Sequence, residues 1–222
     1  MRSNFDRQLS ELNRSLIEMG AMCEEIIALA TKALAEGDME LAKRVDTLGA
    51  DIDRMERTIE SMCLRLLLQQ QPVAKDLRRI SAALKMITDM ERIGDQTSDI
   101  AEIIISAKYE NVAQDIDLIG AMATGVSTMV RDSVVAYVEK DLELARKVMA
   151  SDDKIDAYFD EIRDKMIAYI KAEHGEQGNR IFDLIMVTKY LERIGDHATN
   201  IAEWVEFSIT GVHKDSAALH ES

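Results

Sequence analysis

Proline is nearly absent from this chain, with Pro72 standing alone among 222 residues. Glycine is sparse at 10, and aromatic residues make up only 5%. A chain so poor in helix breakers and rich in Ala, Leu, Ile, Met, Glu and Lys reads as all-α. With few rings to bury, its interior must be aliphatic and filled by its 13 methionines. The two cysteines, Cys23 and Cys63, fall among apolar helical positions and read as reduced, buried thiols. No Cys-x-x-Cys pair, Gly-rich phosphate loop or Ser/His/Asp order is present, so no catalytic constellation is read and the chain is taken as non-enzymatic. No apolar run approaches the ~18 residues of a membrane span, so no direct membrane insertion is expected. The polar start Met1-Arg2-Ser3-Asn4-Phe5-Asp6 is unlike a secretory signal, and a soluble cytoplasmic protein is expected. Net positive charge is also missing. Lys and Arg number 27 against 41 Asp and Glu, a balance of −14. That argues against nucleic acid and anionic lipid, and favours cations or a basic protein surface.

What the chain does have is an internal repeat. Glu91-Arg92-Ile93-Gly94-Asp95 returns 101 residues later as Glu192-Arg193-Ile194-Gly195-Asp196, and Ile100-Ala101-Glu102 returns as Ile201-Ala202-Glu203. Within it Gln96 becomes His197 and Asp99 becomes Asn200. A second match aligns Glu36–Val45 with Glu139–Val148 at an offset of 103. The period is half the chain, so this is a duplication and not a solenoid. The second half is two residues shorter between the matches, and the connector is the natural place for that.

Apolar residues recur at spacings of three and four through six segments. The first helix is expected from about Asn4 to Glu36, with Gly37 ending it and Asp38 capping the second, which runs to about Leu68. Pro72 breaks the chain there, and Asp76 is expected to cap a third helix reaching about Lys108. The plan repeats from about Asp115 to Glu139, from Asp141 to about Lys171, and from about Asn179 to Gly211, with Glu173–Gly178 as the last connector. Long helices on short connections pack antiparallel. Two superimposable three-helix bundles are expected, residues 1–110 and 111–212, rather than one six-helix core. Residues 213–222 are expected to be a flexible tail.

The acids are the features with chemistry. Glu91, Asp95, Asp99 and Glu102 step by four, four and three along one stripe, opposite Met86, Met90, Ile93 and Ile100. Asp53 lies as far before Pro72 as Glu91 lies after it, which sets both at one level of an antiparallel pair, with Asp46 near Asp95 and Asp99. In the second half Asp156 and Glu192 are equally far from His174, and Asp152 falls near Asp196. A single stripe of this kind reads first as a solvated helix face. Two helices that converge carboxylates twice suggest more, because like charges four apart cost about 0.2–0.5 kcal/mol per pair. Arg92 and Arg193 are expected to point away from their acidic neighbours, leaving a bound cation to offset the repulsion. Gly94 and Gly195 cost about 1 kcal/mol each in a helix and indicate excluded bulk, either for close helix packing or for a ligand. Carboxylates with few imidazoles suit Mg²⁺, Mn²⁺ or Fe. His197 offers a nitrogen ligand beside Asp196, or is a plain surface residue. No Glu-x-x-His occurs, so a buried ferritin-like di-iron site is not indicated.

Tandem three-helix bundles carrying Glu-Arg-Ile-Gly-Asp in each half resemble the PhoU family of bacterial phosphate-signalling regulators. Gln71-Pro72-Val73-Ala74-Lys75-Asp76-Leu77-Arg78 is similar to that family's connector, and Glu192–Glu203 to its C-terminal signature. The resemblance spans about residues 1–212. It implies a cytoplasmic regulator held at the inner face of the membrane by the phosphate ABC transporter's ATPase and by a phosphate-sensing histidine kinase, which it restrains when phosphate is ample. A homodimer is expected. The family also implies iron or zinc clusters on paired acid-x-x-x-acid motifs: Glu91/Asp95, Glu192/Asp196 and Asp152/Asp156. In the second helix Gly49 stands where an acid would precede Asp53, with Asp46 a turn earlier, and Asn200 stands in place of an acid. Other readings are an accessory of a different phosphate permease, a phosphotransfer protein using His197, and a metal store.

Overall fold

The computed structural model describes residues 2–70, 72–107, 116–172 and 178–212. They form six helices: α1 (Arg2–Glu36), α2 (Met39–Gln70), α3 (Ala74–Ala107), α4 (Ile116–Glu139), α5 (Leu142–Ala172) and α6 (Gly178–Thr210). Among the described residues none of the helices is long and apolar enough to cross a membrane. The expected boundary near 110, the 173–177 connector with its His174, and the 213–222 tail lie outside the described residues.

The α1–α2 and α4–α5 corners are the same device. Asp38 accepts hydrogen bonds from the backbone N–H groups of Glu40 (2.8 Å) and Leu41 (3.1 Å), and Asp141 accepts one from Leu144 (2.9 Å). The residue before each cap is left-handed: Gly37 at φ 64° and Lys140 at φ 59°. Glycine adopts that conformation freely, whereas a side chain strains it.

At the α2–α3 corner the structure departs from the expected cap. The first backbone bond of α3 runs from Leu77 N–H to the Val73 carbonyl at 2.9 Å, so Asp76 lies inside the first turn and does not cap it. Pro72 sets the entry angle, and the Asp76 carboxylate faces the positive end of the helix dipole.

α2 packs on α1 and α3, and α5 packs on α4 and α6. The two sets meet along α3–α6 and α1–α4. Asp89 of α3 lies beside His197 and Asn200 of α6, while Asp99 of α3 lies beside Arg193. The two helices therefore run antiparallel. The repeat shows in each set's three-helix plan, but the expected separation into two cores is incomplete. Buried side chains from Leu12 to Val205 run together into one interior, because α1, α3, α4 and α6 carry apolar surface towards both neighbours. Cys23 and Cys63 are free and buried in it, and desolvation pushes both thiols up to about 12.

The strained corner yields a test. Lys140→Gly relieves the left-handed strain at the cost of glycine's extra unfolded-state entropy, for a net gain of about 0.5–1 kcal/mol. Denaturant unfolding should show the midpoint rising without a change in slope.

Candidate metal centre

Each acidic seam is organised by a glycine and an isoleucine. A Cβ placed on Gly94 of α3 would lie 3.3 Å from the Ile52 side chain of α2, and one on Gly195 of α6 would lie 3.2 Å from Ile155 of α5. Ile52 and Ile155 are repeat equivalents, and each is followed by its seam's aspartate. The glycines thus serve close helix packing. Glu91 and Asp95 flank Gly94 on α3, so seating Ile52 there draws Asp53 up to them.

The result is a convergent site. Asp53, Glu91 and Asp95 each present a carboxylate oxygen within 4.8 Å of the others, and all three are half-buried. Glu56, one turn after Asp53 and not singled out by the sequence reading, adds a fourth charge nearby. The Glu91 carboxyl is raised above its ordinary value, by partial burial first, then by Asp95, with Glu56 and Asp53 adding and Arg92 opposing. Arg92 corrects an expectation. It does not point away but reaches Asp95 at 3.1 Å and Glu91 at 3.5 Å, since a long side chain swings back readily over the i+3 position. Three carboxylates with no sulfur or imidazole among them fit a hard cation such as Mg²⁺ or Mn²⁺.

In the second seam Asp152 and Asp156 of α5 act on Glu192 and Asp196 of α6. Burial raises the Asp152 carboxyl, reinforced by Asp156, Asp153 and Glu192 and opposed by the neighbouring Thr199 hydroxyl. Asp196 is exposed on its outer side, yet its carboxyl is also raised, by loss of water along the seam and then by Glu192 and Asp152, with Lys189 opposing. Lys189, which the sequence reading passed over, is ion-paired with Glu192.

Three expected ligands are placed elsewhere. Gly49 faces Ser98, whose hydroxyl would lie 2.7 Å from an added Cβ, so Asp46 falls a turn beyond that level and is exposed. Asp99 is half-buried, raised by burial and then by Glu102 and Asp95, and held down by Arg193 of α6. Asn200 donates to Asp89 Oδ1 at 3.2 Å, and His197 Nδ1 lies 2.9 Å from the same oxygen. Both residues tie α6 to α3. Asp89 itself carried no signal in the sequence, because its repeat equivalent is Tyr190.

The raised carboxyls set a pH dependence. Glu91 and Asp152 take up protons more readily folded than unfolded, so in the window above the ordinary 4.5 and 3.8 the native state holds more protons. Stability then falls as pH rises through that window. In chelator-treated protein, Glu91→Gln should melt about 1–2 °C above wild type near pH 7, and the gap should close near pH 4. Scanning calorimetry at the two pH values checks it; a gap that widens at acid pH would contradict the sign.

The family model described as PhoU domain matches twice, over residues 16–104 and 119–205. A Clostridium acetobutylicum protein, "Phosphate-specific transport system accessory protein PhoU homolog", is 37% identical over 96% of this chain and 98% of its own. A Synechocystis protein of the same description is 34% identical over 95% of this chain and 93% of its own. The crystal structure of PhoU from Pseudomonas aeruginosa superposes with a TM-score of 0.87 at 32% identity, covering 94% of this chain and 100% of that one. The phosphate transport system regulatory protein PhoU from Streptococcus pneumoniae gives a TM-score of 0.86 at 27% identity, over 94% and 98%. The twofold match of the family model and the end-to-end likeness agree with the duplicated helices, and the chain belongs to the PhoU family.

Proposed function

We propose that this protein is a non-enzymatic accessory and regulator of phosphate uptake, linking the state of a phosphate ABC transporter to restraint of a phosphate-sensing histidine kinase. The observation that carries this reading is likeness over the whole chain to proteins described as accessory to phosphate-specific transport. It acts at the cytoplasmic face of the membrane, held there by its partners. Signalling runs through differential binding, in which each partner favours one state of the protein. The Asp53–Glu91–Asp95 seam takes a divalent cation, which neutralises the converged charge. Basic partner surfaces dock along the acidic faces, so association is salt-sensitive. Metal occupancy and partner affinity are then linked, because both act on the same charge.

Affinity capture on the tagged full chain, from cells grown at high and low phosphate, tests this. The transporter ATPase and a membrane histidine kinase should be recovered in phosphate-dependent amounts and released as salt rises. Recovery of neither at either phosphate level would overturn the reading.

A further inference from the structure

The two seams come from one repeat, yet the positions bordering them have diverged together. Thr88 of α3 corresponds to Lys189 of α6 at the 101-residue offset. Glu56 of α2 corresponds to Phe159 of α5 at the 103-residue offset. Where the first half has a hydroxyl and a carboxylate, the second has an ammonium and an aromatic ring. In the first half the Thr88 hydroxyl turns back to the Leu84 carbonyl at 3.3 Å and leaves the seam alone. In the second, Lys189 Nζ sits 5.3 Å from the Phe159 ring centroid and ion-pairs with Glu192, whose side chain is only 15% exposed. The ring face holds the ammonium by cation–π attraction, and the carboxylate fixes its direction.

We infer that Lys189 is a tethered counter-ion for the second seam, so that the two seams bind a divalent cation with different affinities and the first is the tight one. This rests on the proposal above that the seams take metal. A cation entering the second seam meets a glutamate already committed to an ammonium, and must displace it or lose a ligand. The first seam keeps three carboxylate oxygens within 4.8 Å of one another. Arg92 also reaches the first seam, 3.1 Å from Asp95 and 3.5 Å from Glu91. Its side chain, however, is 54% exposed against 40% for Lys189 and, among the described residues, no ring contact tethers it, so it yields more readily to an entering cation. Its own repeat partner, Arg193, is turned to Asp99 across the α3–α6 contact. Among the described residues, the first seam's is the one set of three such side chains that converges this closely.

Titration calorimetry with Mn²⁺ on the chelator-stripped full chain decides the matter. Wild type should show two classes of site about tenfold or more apart in affinity. The tight class should vanish in Glu91→Ala/Asp95→Ala and the weak class in Asp152→Ala/Asp156→Ala. Lys189→Thr should tighten the weak class about tenfold and leave the tight class unchanged. Lys189→Met, which keeps the stem against Phe159, should do the same, and Lys189→Arg should leave the site weak. Circular dichroism checks that each variant is folded. Two equal classes in wild type, or no tightening in either neutral variant, would overturn the inference while leaving metal binding standing. No Mn²⁺ bound by wild type or by the neutral variants would overturn both.

Discussion

The approach of two helix pairs at a glycine is the constraint on which the rest depends. Ile52 seats against Gly94 and Ile155 against Gly195, at distances that leave no ordinary room for a Cβ. In both halves the aspartate following the isoleucine and the two acids bracketing the glycine are carried into one seam by that contact. Apolar packing holds the helices together, and the carboxylates accept the repulsion that follows. Burial first, and then that repulsion, raises the Glu91 carboxyl, while an arginine swings back over the first seam and a lysine pairs in the second.

Much of this was legible in the sequence. The repeat predicted the six helices, and Asp38 and Asp141 announced their corners. Asp76 misled because α3 begins at Ala74, with Val73 in the capping place, so that Asp76 falls at the third helical position. The continuous core was not legible, since periodicity marks an apolar face but not which neighbour covers it. Counting from Pro72 placed Asp53 with Glu91 correctly but put Asp46 a turn out of register. Side chains lean towards the N-terminus of their own helix. On antiparallel helices that lean carries α2 side chains away from the corner and α3 side chains towards it, so Gly49 meets Ser98 rather than Asp95. His197 and Asn200 were misjudged for a different reason. Their partner Asp89 lies on the other half of the molecule, 108 and 111 residues away in sequence, and the repeat carries no trace of it.

Duplication leaves each half free to diverge around a shared scaffold. Gly37 has become Lys140, Gln96 has become His197, and Glu56 has become Phe159. The α3–α6 contact lies between the two seams. Asp95 and Asp99 border it from one side, where Arg193 reaches Asp99, and His197 borders it from the other, beside Asp196. The two halves are therefore linked through α3–α6 by Arg193, which follows Glu192 in sequence and lies against Asp99. On the proposed function, unequal seams joined by one helix contact would give the protein more than one state for a partner to select.

The central claim is that helix packing builds a cation site from Asp53, Glu91 and Asp95. Crystals soaked in Mn²⁺ and measured at its absorption edge would test it most directly. The account predicts an anomalous peak within coordination distance of all three carboxylates, with Arg92 displaced from Asp95. Saturating metal with no peak in that seam, or with the three side chains splayed apart around ordered water, would contradict it.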